Sequence, residues 1–158
     1  MRAIVKSDIE AVYGLCQLLK GENARMSFTD VETAEDVSKW LEDQSVYLYG
    51  AFDLDGKILG LIKATRGRGN KSHSAYLAAA VHPNARKKNI ATDLTLYALA
   101  ELKKEGLLIA RTYIYSWNTA SINTIEKCGF IQSGRVFMHE YDTETQGFID
   151  DLIYYKCL

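Results

Sequence analysis

The feature that most constrains this chain is a change of hydrophobic period on either side of its only proline. Ser74 to Val81 contains the apolar run Tyr76-Leu77-Ala78-Ala79-Ala80-Val81, which reads as a buried strand and stops at Pro83. From Asn89 to Glu105 the spacing switches: Ile90, Leu94, Tyr97, Ala98 and Leu102 form one face of a helix that Gly106 closes. A second apolar run, Leu107 to Tyr115, follows at once. Strand, helix, strand in that order requires a crossover, so the chain must place two parallel neighbours in the middle of a sheet.

Hairpins account for the rest of that sheet. Apolar runs at 46–52 and 57–64 flank Asp55-Gly56, a strong hairpin signal. A short strand near Arg2 to Val5 opens the chain. Ser7 and Asp8 then offer N-cap chemistry to a helix whose apolar residues are Ile9, Val12, Leu15, Cys16 and Leu19, and which Gly21 ends. Thr33 with Asp36 three residues on is a capping-box pattern for a second helix carrying Val37, Trp40 and Leu41. After the central crossover, 118–128 reads as a short helix and 129–141 and 147–156 as two final strands. The order βααβββαβαββ predicts an α/β (α+β) fold: a mixed, mostly antiparallel sheet of six to seven strands flanked by about four helices, built as one domain over 1–158.

Several function classes are excluded at this level. A net charge of −1 and a pI near 6.3 lack the basic excess that binding nucleic acid usually requires. The N-terminus has no signal-peptide pattern, and no apolar run approaches the ~18 residues of a membrane span, so neither export nor a membrane partner is expected. Cys16, Cys128 and Cys157 are scattered, with no metal-ligand spacing; reduced thiols in a cytoplasmic protein without a metal site fit best. Glycine-rich loops of the forms GxxxxGK[ST] and GxGxxG are missing after every strand, which argues against an ordinary nucleotide-binding α/β domain.

Chemistry concentrates in Val81-His82-Pro83-Asn84-Ala85-Arg86-Lys87-Lys88-Asn89-Ile90-Ala91-Thr92, between the apolar strand and the amphipathic helix. A helix's first amides have no intrahelical partner and its dipole puts about half a positive charge there, so the segment can bind a pyrophosphate. Arg86, Lys87 and Lys88 add charge, small Ala91 permits close approach, and Asn89 is among the few non-glycine types that tolerate a left-handed backbone. A solvated basic helix start is the competing reading. The second segment is Asn118-Thr119-Ala120-Ser121, leading to Lys127-Cys128-Gly129-Phe130. Taken alone, Asn118 reads as an N-cap and Gly129 as a C-terminal cap.

Together the two segments resemble the GNAT superfamily of N-acetyltransferases, whose pyrophosphate loop has the form Arg/Gln-x-x-Gly-x-Gly/Ala and whose later helix has Asn-x-x-Ser/Ala followed by Lys-x-Gly-Phe. The expected element order resembles that fold over essentially the whole chain. One departure is Asn89 in place of the first loop glycine, which implies a left-handed or strained backbone there. The resemblance implies acetyl-CoA as cosubstrate, and strands 74–81 and 107–115 splayed apart to take it. Backbone groups of Ala79 and Val81 would pair with pantetheine as an added strand does. Amides of Arg86, Lys87, Lys88, Asn89, Ile90, Ala91 and Thr92 would hold the pyrophosphate. Asn118 and Ser121 would meet pantetheine from the other side, with Lys127 either reaching a phosphate or remaining a surface lysine.

The implied reaction is direct transfer of acetyl to a primary amine of a small molecule or peptide. Two groups common in relatives are missing: Ile125 stands where many carry a tyrosine acid, and Ala75 where some carry a glutamate base. Tyr113, at another family position for a base, and Tyr115 on the same strand face are the remaining catalytic candidates, with core packing the competing role. His139 and Glu140 border the implied acceptor pocket. Acidic residues near the second helix and near the C-terminus, Asp150 and Asp151 included, favour a cationic acceptor. His82 reads as a loop histidine and Cys128 as buried packing. Two further expectations stay open: a homodimer, and a catalytically idle module that binds acyl-CoA for regulation.

Overall fold

The computed structural model describes residues 1–22 and 26–158. In chain order the elements are β1 (Arg2–Ala3), α1 (Ile9–Gly21), α2 (Ala34–Glu42), β2 (Val46–Phe52), β3 (Ile58–Arg66), β4 (Ser74–Val81), α3 (Ile90–Lys104), β5 (Ile109–Tyr115), α4 (Thr119–Lys127), β6 (Ile131–Asp142) and β7 (Gly147–Cys157). The order expected from the sequence is the order found. All seven strands join one sheet, arranged β1-β2-β3-β4-β5-β7-β6, in which β4 and β5 form the parallel pair.

Local chemistry explains the boundaries. Gly56 takes φ 81° in the β2–β3 turn, and Asp53 Oδ1 accepts from the amides of Asp55 and Lys57 at 3.0 and 2.8 Å. At α2 the Asp36 carboxylate accepts from the Thr33 amide at 3.0 Å, which is the reciprocal half of the expected capping box. Asp8 precedes α1 but does not cap it with its side chain; the carboxylate turns back to Arg2 at 2.6 and 2.8 Å and to the Val5 amide at 2.9 Å. A charged donor outcompetes the helix amides there. The strand β5 begins at Ile109, two residues later than the apolar run, because Leu107 is a core residue between elements.

Each face of the sheet buries its own core. Val12, Leu15, Cys16 and Leu19 of α1, with Val37 of α2, pack on Leu48, Leu61 and Ala80. On the opposite face Leu94, Ala98 and Leu102 of α3, with Ile125 of α4, pack on Ala75, Leu77, Ala110, Ile114 and Tyr154. No helix among the described residues is long and apolar enough to cross a membrane.

The site is positioned by a failure of pairing. Parallel β4 and β5 are in register only at Ser74↔Ile109, Ala75↔Ala110 and Tyr76↔Arg111. Immediately beyond, the buried Thr112 hydroxyl donates to the Leu77 carbonyl at 3.0 Å. From Ala78 to Val81 and from Tyr113 to Tyr115 each strand stays paired on its outer side, to β3 and β7 respectively, while the inner edges diverge.

Candidate active site

The two strands of the V lead directly into α3 and α4, so both helix N-termini lie at its open end. This is where ligands of parallel sheets are held. Asn89 enters α3 with φ 59° and ψ 5°, the left-handed conformation anticipated for it, and Lys87 adopts φ 62°, which nothing in its residue type announced. The first helical bond runs from the Asp93 amide to the Asn89 carbonyl at 3.0 Å. Among the described residues the amides of Lys87 to Thr92 have no protein acceptor, which leaves a run of donors curled by two left-handed residues, a shape suited to anions.

Side chains around this loop are divided in role. Arg86 pairs with Glu22 after α1 at 2.6 Å, while Lys87 and Lys88 are exposed. Ala91 and Thr92 are half-buried, and Ala79 is exposed on the opened edge of β4 with Val81 half-buried beyond it. His82 is not a free loop residue: its Nδ1 accepts from the Asn84 amide at 3.2 Å and holds the turn after β4. On the other arm the Asn118 side-chain oxygen caps α4 by accepting from the Ser121 amide at 3.1 Å, and Gly129 ends that helix with φ 82°. Ser121 is half-buried beside it and Lys127 is exposed. Asn118 and Gly129 thus have the ordinary capping roles, and the Asn118 amide nitrogen still carries donors. Burial pushes the Cys128 thiol up, and its Sγ donates to the Thr92 carbonyl at 3.7 Å within the core beside α3. Ile125 and Ala75 are buried on the α3–α4 face.

A second set of residues gathers on the opposite face, where β4, β5 and β7 meet. Alternation and register put Tyr76, Tyr113, Tyr115 and Asp151 on the same side, since Tyr76 lies opposite Arg111 and Tyr115 opposite Asp151. The Tyr76 and Tyr113 rings are 5.3 Å apart and both are about 40% exposed, at 40% and 42%. Tyr115 donates to Glu140 at 2.5 Å and stacks on Trp117 at 6.0 Å. A bulge in β6 sets Val136 opposite Asp151 and Glu140 opposite Ile149, so three residues, 137–139, stand against one. That bulge aims His139 at Asp151, with Nε2 3.6 Å from Oδ2.

By sequence, Asp151 counts only among the C-terminal acids and is not singled out. It is 8% exposed in the middle of the run Ile149-Asp150-Asp151-Leu152-Ile153, and an acid at a buried position of an apolar strand was the available signal. Burial raises its carboxyl above the usual range, His139 opposes that, and Glu140 adds to it. Tyr76 is raised by burial and then by the Asp151 charge, which places the two groups within electrostatic reach. Across β4, half-buried Lys63 lies opposite Ala78 on this same face with its ammonium 4.1 Å from the Trp40 ring, and burial lowers it.

A sheet opened by a parted parallel pair, with a run of free helix-start amides at its mouth, is the architecture that the fold presents for comparison with known proteins. The model of the acetyltransferase (GNAT) family matches residues 14–130, and the chain belongs to that family. No curated protein sequence matches it. Among solved structures it is similar to a ribosomal-protein-alanine N-acetyltransferase from Brucella melitensis, with TM-score 0.87, 20% identity, and 99% of this chain and 98% of that one covered. An acetyltransferase of the GNAT family from Streptococcus pneumoniae gives the same four values. A spermidine N-acetyltransferase chimera from Vibrio cholerae aligns with TM-score 0.77 at 20% identity over 99% and 94% of the two chains. At such identities the likeness shows the fold.

Proposed function

We propose that residues 1–158 form one acetyltransferase domain that moves an acetyl group from acetyl-CoA to a primary amine by direct attack. The observation that carries this reading is the unpaired inner edge of β4, which ends in a run of donor amides without protein acceptors. An extended pantetheine arm needs a strand edge and its diphosphate needs several donors, and this chain has both in sequence. Ala79 and Val81 would pair with the arm, Arg86 to Thr92 would hold the diphosphate by backbone amides, Asn118 and Ser121 would close the other side, and Lys127 would lie near a phosphate. The bound thioester supplies an activated acetyl group at the throat of the V.

The protein's remaining task is to present a neutral amine on the opposite face, where Tyr113, Tyr115, His139 and Glu140 gather. An alkyl amine with pKa ~10.4 is neutral about once in 2,500 molecules at pH 7, a deficit of ~4.6 kcal/mol. A nearby acceptor for the ammonium proton offsets part of it. The acid missing at Ile125 matters less, since a thiol with pKa ~8.5 leaves readily and one general acid contributes ~10²- to 10⁴-fold. Ile125 and Ala75 also favour a second reading, a module that holds acyl-CoA without turnover.

Two measurements test these readings. Acetyl-CoA at 100 times its Kd is expected to add about 2.7 kcal/mol of stability, roughly 5–10 °C in Tm for a chain of this size. An unchanged Tm at millimolar acetyl-CoA would rule out the donor site. Acetyl-CoA-dependent thiol release across a panel of primary amines then separates enzyme from idle module: release with any amine supports transfer, and binding with no release supports the module.

A further inference from the structure

We propose that Asp151 seats the acceptor's ammonium and takes its first proton, with His139 as the exit for that proton to solvent. The inference rests on the acetyltransferase reading and adds the group that generates the nucleophile. Asp151 lies directly opposite Tyr115 on β5, four residues beyond Arg111, the last β5 residue in register with β4, and its charge reaches Tyr76 on that strand. It is a buried carboxylate, whereas its neighbour Asp150 points the other way along the strand and is consumed by Arg135 and by the Met138 amide at 2.7 Å. Glu140 is occupied by the Tyr115 hydroxyl at 2.5 Å. His139, 49% exposed at its side chain, joins Asp151 to solvent at 3.6 Å.

The other titratable and charged groups on this side of the sheet include Tyr76 from β4, Arg111, Tyr113 and Tyr115 from β5, Tyr155 from β7, Glu140 and, at the far end, Asp142 from β6, and Lys63 beyond β4. The exposed Tyr76 and Tyr113 rings supply the wall along which an ammonium is attracted before it reaches the carboxylate. In the step itself the ammonium gives one proton to Asp151. The amine nitrogen forms its bond to the acetyl carbon as the carbon–sulfur bond breaks, and the second nitrogen proton goes to the leaving sulfur. Asp151 returns its proton through His139 to water, so amine, thioester and protons balance to amide, thiol and one released proton. A carboxyl held above its usual range by burial is better matched to this exchange near neutral pH than an exposed one.

The test is Asp151→Asn in the full chain. At pH 7 the variant is expected to lose on the order of 10²–10⁴ in kcat/KM toward whichever of phenethylamine, spermidine and an alanyl peptide the parent acetylates fastest, with its affinity for acetyl-CoA unchanged. The deficit should shrink about tenfold per pH unit as solution supplies the free amine. Its Tm at pH 7 should be no lower than the parent's, because asparagine removes a charge that burial disfavours. The second arm needs no turnover: in protein labelled with ¹³C at aspartate, the resonance that Asp151→Asn deletes should titrate above the exposed aspartates and shift when phenethylamine is added. Unchanged kcat/KM, an ordinary titration, or loss of cooperative melting in the variant each overturns the assignment to Asp151. A parent that does not bind acetyl-CoA overturns instead the reading on which it rests.

Discussion

Asn89 and Lys87 both take left-handed backbone at the start of α3, with φ 59° and 62°, and their costs differ. Asparagine tolerates that region; a lysine there gives up roughly 1–2 kcal/mol relative to ordinary backbone. Such strain persists where the surrounding structure over-determines it, and here its effect is to turn successive amides toward one point. The residue that tests the consequence is Ala91. As a plain helix start, Ala91→Glu gains ~0.3–1 kcal/mol from the dipole. As a seat for diphosphate, the added carboxylate fills the space and repels the ligand, a conflict of several kcal/mol. We expect denaturant stability of Ala91→Glu equal to or slightly above the parent's and acetyl-CoA affinity reduced at least a hundredfold by calorimetry. A variant that binds like the parent would remove the loop from the site.

At the scale of elements, what the sequence made legible was local. Asp55-Gly56 fixed one hairpin, and the period change around Pro83 fixed the strand–helix–strand crossover, because turn chemistry and spacing act within a few residues. Asn89's left-handed turn was readable from residue type. The insertion of β7 between β5 and β6 was not, since it depends on pairing Ile109 with Cys157 across the length of α4 and a hairpin. The β6 bulge that aims His139 at Asp151 was hidden for the same reason: the extra residues show only against a known partner strand. The Thr112–Leu77 bond was equally invisible, and it sets where β4 and β5 part. Thr112→Val keeps the shape and leaves the buried Leu77 carbonyl without its donor. A loss of about 1–3 kcal/mol is expected, read as a lower urea midpoint with unchanged m-value.

For the whole molecule, acid sensitivity follows from carboxylates held below their usual range. Arg2 lowers Asp8, Lys39 brings Asp36 to about 2, the Ser45 hydroxyl lowers Asp43, and the Met138 amide lowers Asp150. Each binds protons more weakly in the folded chain than in the unfolded one. Their contribution is therefore complete above the unfolded value near ~3.9 and is lost as pH falls through the folded values. Asp151 has the opposite sign: its raised carboxyl favours the fold at low pH and less so as pH rises through it. Stability is expected to hold steady from neutrality to about pH 4 and to fall steeply toward pH 2, as circular dichroism would record. A transition centred well above pH 4 would point to a group other than these.

The parted strands have a consequence for how long such a molecule lasts. Between β4 and β5 only three residue pairs are in register among the described residues, with the Leu108–His73 backbone bond before them and the Thr112 hydroxyl bond after. A protease that waits for transient opening finds that seam first, since regions with few shared backbone bonds open at the least cost. If acetyl-CoA rivets the same seam, occupancy by the donor sets the degradation rate, and the amount of protein present would follow the supply of the molecule it consumes.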